Sequence, residues 1–115
     1  MEIWKDIKDY EGLYQVSNLG RVKSFKRNRE RVLKVSLRGI QGYVGVGLHK
    51  DGKTTHEYTH RLVADAFLEK PSYKCVVDHI NNIPSDNRVD NLQFVSQREN
   101  LLNYITMMMK EKPMI

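Results

Sequence analysis

The sequence predicts an α+β fold, in which a small antiparallel β-rich N-terminal module is followed by a helix and then by a strand–turn–strand–helix unit. Three observations predict it. Apolar and polar residues alternate between turn signals through the first half of the chain. Apolar residues then recur at helical spacing in RLVADAFLEKP. Two short apolar runs, VV and LQFV, bracket an asparagine-rich stretch that leads into a second helix.

The length and composition fit one small domain, or a small domain with an appended lobe. The chain has 115 residues, of which 40% are hydrophobic, enough for a modest core. No apolar run approaches the roughly 20 residues that cross a bilayer, and the charged N-terminus is unlike a signal peptide. The single cysteine, Cys75, has no partner for an internal disulfide, which indicates a reducing compartment. We therefore expect a cytoplasmic protein with no membrane contact.

Hairpins are predicted in the N-terminal half. YQVSNLGRVKSF places Asn18-Leu19-Gly20 between two alternating segments, with Gly20 supplying a positive φ. RVLKVSL is a weaker strand, and GYVGVGLHKDGKTTHEYTH gives two strands around a turn at Asp51-Gly52. Trp4 and Tyr14 are predicted to anchor the core of this module.

Two helices follow. The first is predicted to begin at an N-cap, Thr59, and to end before Pro71. The second opens at Ser96 and Glu99, which fit the S-x-x-E pattern of a capping box. Its apolar residues recur at helical period, and we expect them to be core: Leu101, Leu102, Ile105, Met108 and Met109.

The basic charge is local. Residues 21–53 hold ten basic and two acidic residues, a net +8, although the whole chain carries +5. The basic ones are Arg21, Lys23, Lys26, Arg27, Arg29, Arg31, Lys34, Arg38, Lys50 and Lys53. A block of this density suits a polyanion such as DNA, because each neutralised phosphate releases a counterion. A solvated surface with no partner is the alternative. We assign the first eight to DNA binding.

The asparagine-rich stretch VVDHINNIPSDNRVDNLQFVSQREN predicts a cation site. Asp78 and His79 end its first strand, and Asn100 lies near the start of the following helix. If the chain folds back, carboxylate and amide oxygens meet there, which suits magnesium or manganese. The imidazole of His79 can act as a general base near neutral pH. Because adjacent strand residues face opposite sides, one shared site requires the strand to bend or end here.

Each of these residues also has a structural interpretation. Asp78 could form a turn at the strand end, His79 could be a satisfied structural histidine, and Asn100 could be a surface helix residue. Three more polar residues of the stretch are predicted to be turn formers, with an extra ligand role for Asp86 or Asp90 as the alternative: Asp86, Asn87 and Asp90.

The motifs DHIN, DNRVDNL and VSQREN, in this order, resemble those of the HNH endonucleases, in the branch of phage and intron-encoded homing endonucleases. That family's fold is the ββα-metal finger. THRLVADAF resembles the helix that precedes the motif, and EIWKDIKDYEGLYQVSNLGRVKS resembles a small module often found ahead of such cores. The resemblance implies two domains: residues 1–55 as a basic, nuclease-associated module and residues 56–115 as the HNH nuclease core.

This resemblance also implies a function, which is metal-dependent hydrolysis of phosphodiester bonds in double-stranded DNA. Asp78 and Asn100 would hold one magnesium or manganese ion, and His79 would be the general base. Asn91 would tie down the loop backbone and orient His79. Asn100 replaces a histidine found in many members, which weighs against zinc. One site implies nicking of one strand per monomer, by a monomer or weak homodimer in a bacterial cytoplasm, encoded by a phage or mobile element.

Some questions stay open in the sequence. His60 and Arg61 are assigned to DNA binding, yet His60 could instead hydrogen-bond across the core. Tyr43, between two glycines, is the aromatic residue most suspected of touching nucleic acid, with strand packing as the alternative. The competing functions are a non-catalytic DNA-binding module that retains the HNH fold, and a small interaction protein with incidental charge.

Overall fold

The computed structural model describes residues 1–111, apart from the side chains at positions 103, 104, 107, 108, 110 and 111. The elements, in chain order, are β1 (Trp4–Asp6), β2 (Tyr14–Ser17), β3 (Val22–Ser24), β4 (Arg31–Val32), β5 (Ser36–Arg38), β6 (Tyr43–Lys50), β7 (Lys53–Tyr58), α1 (Thr59–Phe67), β8 (Cys75–His79), β9 (Leu92–Ser96) and α2 (Gln97–Glu111). Single 3-10 turns lie at Lys26–Asn28 and Val89–Asn91. The predicted α+β class is confirmed. The last four positions of the predicted second domain, 112–115, lie outside the described residues.

Three antiparallel sheets organise the described part of the chain. Their strand orders are β1-β2-β3-β4, β5-β6-β7 and β8-β9. The predicted hairpin turn is present, with Gly20 at φ +88° between β2 and β3. Asp51 and Gly52 join β6 to β7 with φ of 53° and 74°, the left-handed pair that a two-residue hairpin loop requires. The segment RVLKVSL is not one strand, because its ends, β4 and β5, pair in different sheets.

One hydrophobic core joins the two halves of the chain. Its buried members come from β2, β3, β6, α1, β9 and the loop after β1: Ile7, Tyr14, Val16, Val22, Val46, Leu48, Leu62, Val63 and Leu92. Tyr14 therefore anchors the core as predicted. Trp4 does not, because it is only half-buried and its ring lies 4.1 Å from the Lys23 ammonium.

Both predicted helices form, but two details differ from expectation. The N-cap of α1 is Tyr58, so Thr59 is the first helical residue, and its Oγ1 is buried without a hydrogen-bond partner in the described structure. At the start of α2, the backbone N–H of Glu99 donates to Ser96 Oγ over 3.1 Å, as a cap should. No helix within residues 1–111 is long and apolar enough to cross a membrane.

The apolar stripe of α2 is not core, and that prediction was wrong. Four of its members are 44–68% exposed: Leu101, Leu102, Ile105 and Met109. The Met108 side chain lies outside the described residues. α2 packs against β8 and β9, and two strands of five residues each cover only part of a 15-residue helix.

Candidate functional site

A cleft of about 660 Å³ brings together side chains from distant parts of the chain. β8 contributes Asp78 and His79, α2 contributes Asn100, and Tyr43 from β6 and His60 from α1 line the same cleft. The three residues expected to form a cation site therefore line one cavity. β8 ends at His79, which meets the requirement that the strand stop where neighbouring side chains share a site.

Pairing between β8 and β9 sets the position of Asp78. Asp78 lies opposite Gln93 in the register, and its Oδ2 accepts a hydrogen bond from Gln93 Nε2 over 2.9 Å. Asn100 sits in the first turn of α2 and is exposed. Because α2 begins directly after β9, the fold-back that carries Gln93 past Asp78 also carries Asn100 to the same cleft.

The oxygen donors of the cleft fit a hard divalent cation. Asp78 offers a carboxylate and Asn100 an amide oxygen, the donor types that magnesium and manganese prefer. Within residues 1–111, no group of three or more His, Cys, Asp or Glu is placed to hold a metal, so the protein offers the ion few ligands. With so few protein ligands, such an ion would keep several waters, as magnesium does in most protein sites.

His79 is buried, and a neighbouring amide sets its orientation. Its Nε2 lies 2.7 Å from Asn87 Oδ1, and His79 is only 6% exposed. An amide oxygen can only accept, so Nε2 carries the proton and Nδ1 is left to accept one. Asn87, predicted to be a turn former, is instead 4% exposed and is the partner of His79. No local signal distinguishes Asn87, because it lies among other turn-type residues.

Asn91 ties down the loop between β8 and β9. Its Oδ1 accepts from the Asn81 backbone N–H over 3.0 Å, and its Nδ2 donates to Asn81 Oδ1 and to the Asp86 carbonyl, both over 2.9 Å. Asp86 pairs with Arg88 over 2.8 Å, and the Arg88 hydrogen bond holds the pKa of the Asp86 carboxyl well below its usual value. Asn91 reaches His79 only through this loop, so its predicted orienting role would be indirect.

His60 lies inside the wall of the cleft. It is 5% exposed, and its ring centroid is 5.0 Å from that of His79 and 4.9 Å from that of Tyr43. Its Nδ1 has no hydrogen-bond partner within the described structure. Burial, with smaller effects from His79 and Arg61, lowers the pKa of His60 to about 4, so the ring is neutral at pH 7. This position favours packing over phosphate contact for His60.

Tyr43 packs as the structural alternative expected, and its contact with nucleic acid stays a prediction. Its ring packs against Tyr58 with centroids 5.7 Å apart and also lines the cleft.

The predicted DNA-binding residues divide by exposure. Six of them are exposed: Arg21, Arg27, Arg29, Arg31, Lys34 and Arg61. The other basic ones are half-buried and have partners in the protein. Lys23 pairs with Glu30 over 2.7 Å, Lys26 Nζ donates to the His49 carbonyl over 2.9 Å, and Arg38 lies 2.8 Å from His56 Nδ1. Among the exposed residues, Arg21 also forms an ion pair with Glu2.

Comparison with known proteins identifies two family segments in the chain. Residues 2–49 match the family model described as NUMOD4 motif, and residues 57–102 match the one described as HNH endonuclease. Both resemblances inferred from the motifs are therefore confirmed, in the expected order.

Individual relatives agree with the family matches. DNA endonuclease I-HmuI of Bacillus phage SP01 is 43% identical over 103 residues, which are 90% of this chain and 58% of that protein. An uncharacterized HNH endonuclease of Acanthamoeba polyphaga mimivirus is 44% identical over 87% of this chain and 25% of its own length. A solved structure, described as DNA binding and cleavage by the HNH homing endonuclease I-HmuI, matches with a TM-score of 0.83 and 42% identity, over 91% of this chain and 59% of the other. The chain thus spans less than two thirds of these relatives.

Proposed function

Since this chain belongs to the HNH endonucleases, we propose that it is a metal-dependent DNA endonuclease that hydrolyses phosphodiester bonds. The convergence of Asp78, His79 and Asn100 on one cleft carries this proposal. A binding module has no need for a buried imidazole beside two oxygen ligands. The relative I-HmuI is named a DNA endonuclease, which supports the same reaction for this chain.

In this proposal, His79 is the general base. Asn87 Oδ1 accepts from Nε2–H, so the unprotonated Nδ1 would take the proton from the attacking water. When His79 gains that proton, Asn87 Oδ1 still accepts a hydrogen bond from Nε2–H of the charged ring, so this hydrogen bond persists through the proton transfer. His79 is only 6% exposed, and this burial restricts rotation of the ring and keeps the orientation of Nδ1 constant.

Asp78 and Asn100 would hold one magnesium or manganese ion. When bound, that ion would supply positive charge against the phosphate and the leaving oxygen. Gln93 fixes Asp78 through the 2.9 Å hydrogen bond, which leaves the other carboxylate oxygen free for the ion. Asn91 would affect His79 only indirectly, by holding the loop that carries Asn87.

DNA would bind along the basic N-terminal half. Of the exposed residues assigned to DNA binding in this half, those without an ion-pair partner in the described structure are the strongest candidates for phosphate contacts: Arg27, Arg29, Arg31 and Lys34. In this division, residues 1–55 grip the duplex and the core that follows cuts it. A single set of Asp78, His79 and Asn100 in the described residues implies a nick in one strand per binding event, by a monomer or weak homodimer. The phage origin of I-HmuI supports a phage or mobile-element gene acting in a bacterial cytoplasm.

A supercoiled plasmid tests the proposal. Wild-type protein is expected to convert it to the nicked circle with magnesium or manganese and to stop when the ion is chelated. His79→Ala and Asp78→Ala are expected to lose nicking while retaining DNA in a gel-shift assay without metal. The control is His49→Ala, because His49 is exposed and lies outside the cleft.

Two other outcomes would replace the proposal. Retardation of DNA without nicking under any metal would select the non-catalytic binding module. If the protein neither retards nor nicks DNA at low salt, the remaining hypothesis is a small interaction protein with incidental charge.

A further inference from the structure

A turn of the N-terminal half touches the loop that orients His79. A Cβ atom placed on Gly20, between β2 and β3, would lie 3.0 Å from both Cβ and the carbonyl oxygen of Asn87. The backbone N–H of Val89 also donates to the Asn18 carbonyl over 2.8 Å. We call these two contacts, Gly20 on Asn87 and Asn18 on Val89, the turn–loop contact. It joins the segments matched by the two family models.

The turn is itself fixed, so it can act as a support. Asn18 Oδ1 accepts from the Ile3 N–H over 2.7 Å, and Asn18 N–H donates to the Ile3 carbonyl over 3.0 Å. Ser17 is fully buried, and its Oγ accepts from the backbone N–H groups of Leu19 and Arg21. These hydrogen bonds fix the conformation of the turn independently of its contact with the loop.

Asn87 lies between this turn and the general base. On one side its backbone and Cβ meet Gly20, and on the other its Oδ1 meets His79 Nε2 at 2.7 Å. Asn91 anchors the same loop, but its hydrogen bonds go to Asn81 and to the Asp86 carbonyl. None of those hydrogen bonds is made to Asn87 itself, whereas Gly20 approaches its Cβ and its carbonyl oxygen.

We infer that the β2–β3 turn is part of the nuclease site, with Gly20 and Asn18 as positioning residues that set Asn87 and, through it, the ring of His79. This inference rests on the proposed nuclease function. The N-terminal half then has a second task besides DNA binding, because the nuclease core alone lacks the support for Asn87. Arg21 follows the turn directly, so DNA bound at Arg21 would lie next to the turn that contacts Asn87.

Two glycine variants isolate the contact. Gly20 and Gly12 both lie in the N-terminal half with positive φ, +88° and +79°, so alanine strains the backbone at each. Only at position 20 does the new Cβ meet another residue, since nothing lies within 4 Å of one at position 12. Gly20→Ala is expected to slow single-turnover nicking at saturating protein by about 10- to 100-fold relative to Gly12→Ala. Metal-free DNA binding should stay equal in the two variants. Equal nicking rates would overturn the inference.

A double variant tests whether Gly20 acts through Asn87. Asn87→Ala removes the partner of His79, so adding Gly20→Ala should slow nicking no further. Multiplied effects would mean that the turn acts by another route, and the inference would fail. Asn18→Ala covers the case in which Gly20→Ala does not fold, because it loosens the turn without adding an atom. It should slow nicking while Gly12→Ala does not, and an unchanged rate would count against the inference.

A spectroscopic readout separates this inference from the proposed function. Nitrogen-15 NMR of the imidazoles should show His79 with its proton on Nε2 in wild type and in Gly12→Ala. In Gly20→Ala that tautomer signature should be lost or mixed with the other. If wild-type protein never nicks, the proposed function fails, yet the tautomer comparison still tests the turn. If wild type nicks and the spectra of the two glycine variants agree, only the inference fails.

Discussion

Acid should destabilise this protein through His60 before it affects the carboxylates. The ring is 5% exposed and packs against Tyr43 and His79. Burial lowers the pKa of His60 from 6.5 to about 4, so the folded protein resists a proton that the unfolded chain accepts. Neutral His60 therefore contributes stability that is present in full above pH 6.5 and is lost as the pH falls toward 4.

The size of the effect follows from the two pKa values. The difference between 6.5 and about 4 is 2.5, and each whole pKa difference corresponds to about 1.4 kcal/mol. The free energy of unfolding should therefore fall by about 3 kcal/mol across this window. The Asp86 carboxyl, whose pKa Arg88 holds below the ordinary 3.8, contributes stability that is lost only at lower pH. The two groups thus act in separate windows.

Urea denaturation at several pH values between 7.5 and 4 measures this loss. The comparison protein is His60→Phe, which keeps a ring against Tyr43 and Tyr58 but binds no proton. The wild type should lose about 3 kcal/mol more than the variant over this range. If the two stability curves run parallel, the ring of His60 is not protected from protons, and the reasoning from burial is wrong.

Three further predictions concern stability and are measured by urea denaturation at pH 7.5. Leu48→Ala should cost about 2–5 kcal/mol because Leu48 is fully buried, whereas Leu37→Ala, at a side chain that is 72% exposed, should stay within about 0.5 kcal/mol. Gly45→Ala should cost about 1–3 kcal/mol, since its Cβ would lie 2.5 Å from the Glu57 carbonyl oxygen and force β6 from β7; no loss would show that the strands separate freely. Ser96→Ala should cost about 1 kcal/mol by removing the cap of α2, and an unchanged midpoint would show that the cap contributes nothing.

Local signals in the sequence predicted most elements of the fold. The turns at Gly20 and at Asp51-Gly52 were identified because a left-handed backbone selects particular residue types whatever surrounds them. The start of α2 was identified because Ser96 bonds a backbone group only three residues away. Such features depend on neighbours along the chain, so the sequence carries them directly.

Features that depend on distant partners were missed. The apolar stripe of α2 has helical period, but period alone does not show whether another element covers it, and Leu101 and Met109 are exposed. RVLKVSL reads as one strand, yet its two ends pair with strands of different sheets, β4 with β3 and β5 with β6. Trp4 was expected inside the core, where its size would suit it, but Lys23 covers its ring at the surface.

The candidate site shows the same division. Asp78, His79 and Asn100 were singled out because carboxylate, imidazole and amide at these spacings suit one chemistry, and they do line one cleft. Asn87 was not singled out, although it contacts the ring of His79, because several other asparagines in the loop are equally suited to form turns. Only the partner across the fold distinguishes Asn87 from them, and that partner is set by tertiary structure.

Position 20 shows how one residue can satisfy two requirements of which the sequence shows only the first. Glycine fits a hairpin turn at φ +88°, and asparagine also tolerates a left-handed backbone. The turn alone would therefore accept either residue. Asn87 lies 3.0 Å from where a Cβ would be, so any residue other than glycine requires Asn87 to shift. The positive φ is needed to form the hairpin itself. The close approach of Asn87 concerns the partner of His79, a residue 59 positions further along the chain. A hairpin residue in one half of the chain thus packs against the loop residue that contacts His79 in the other half.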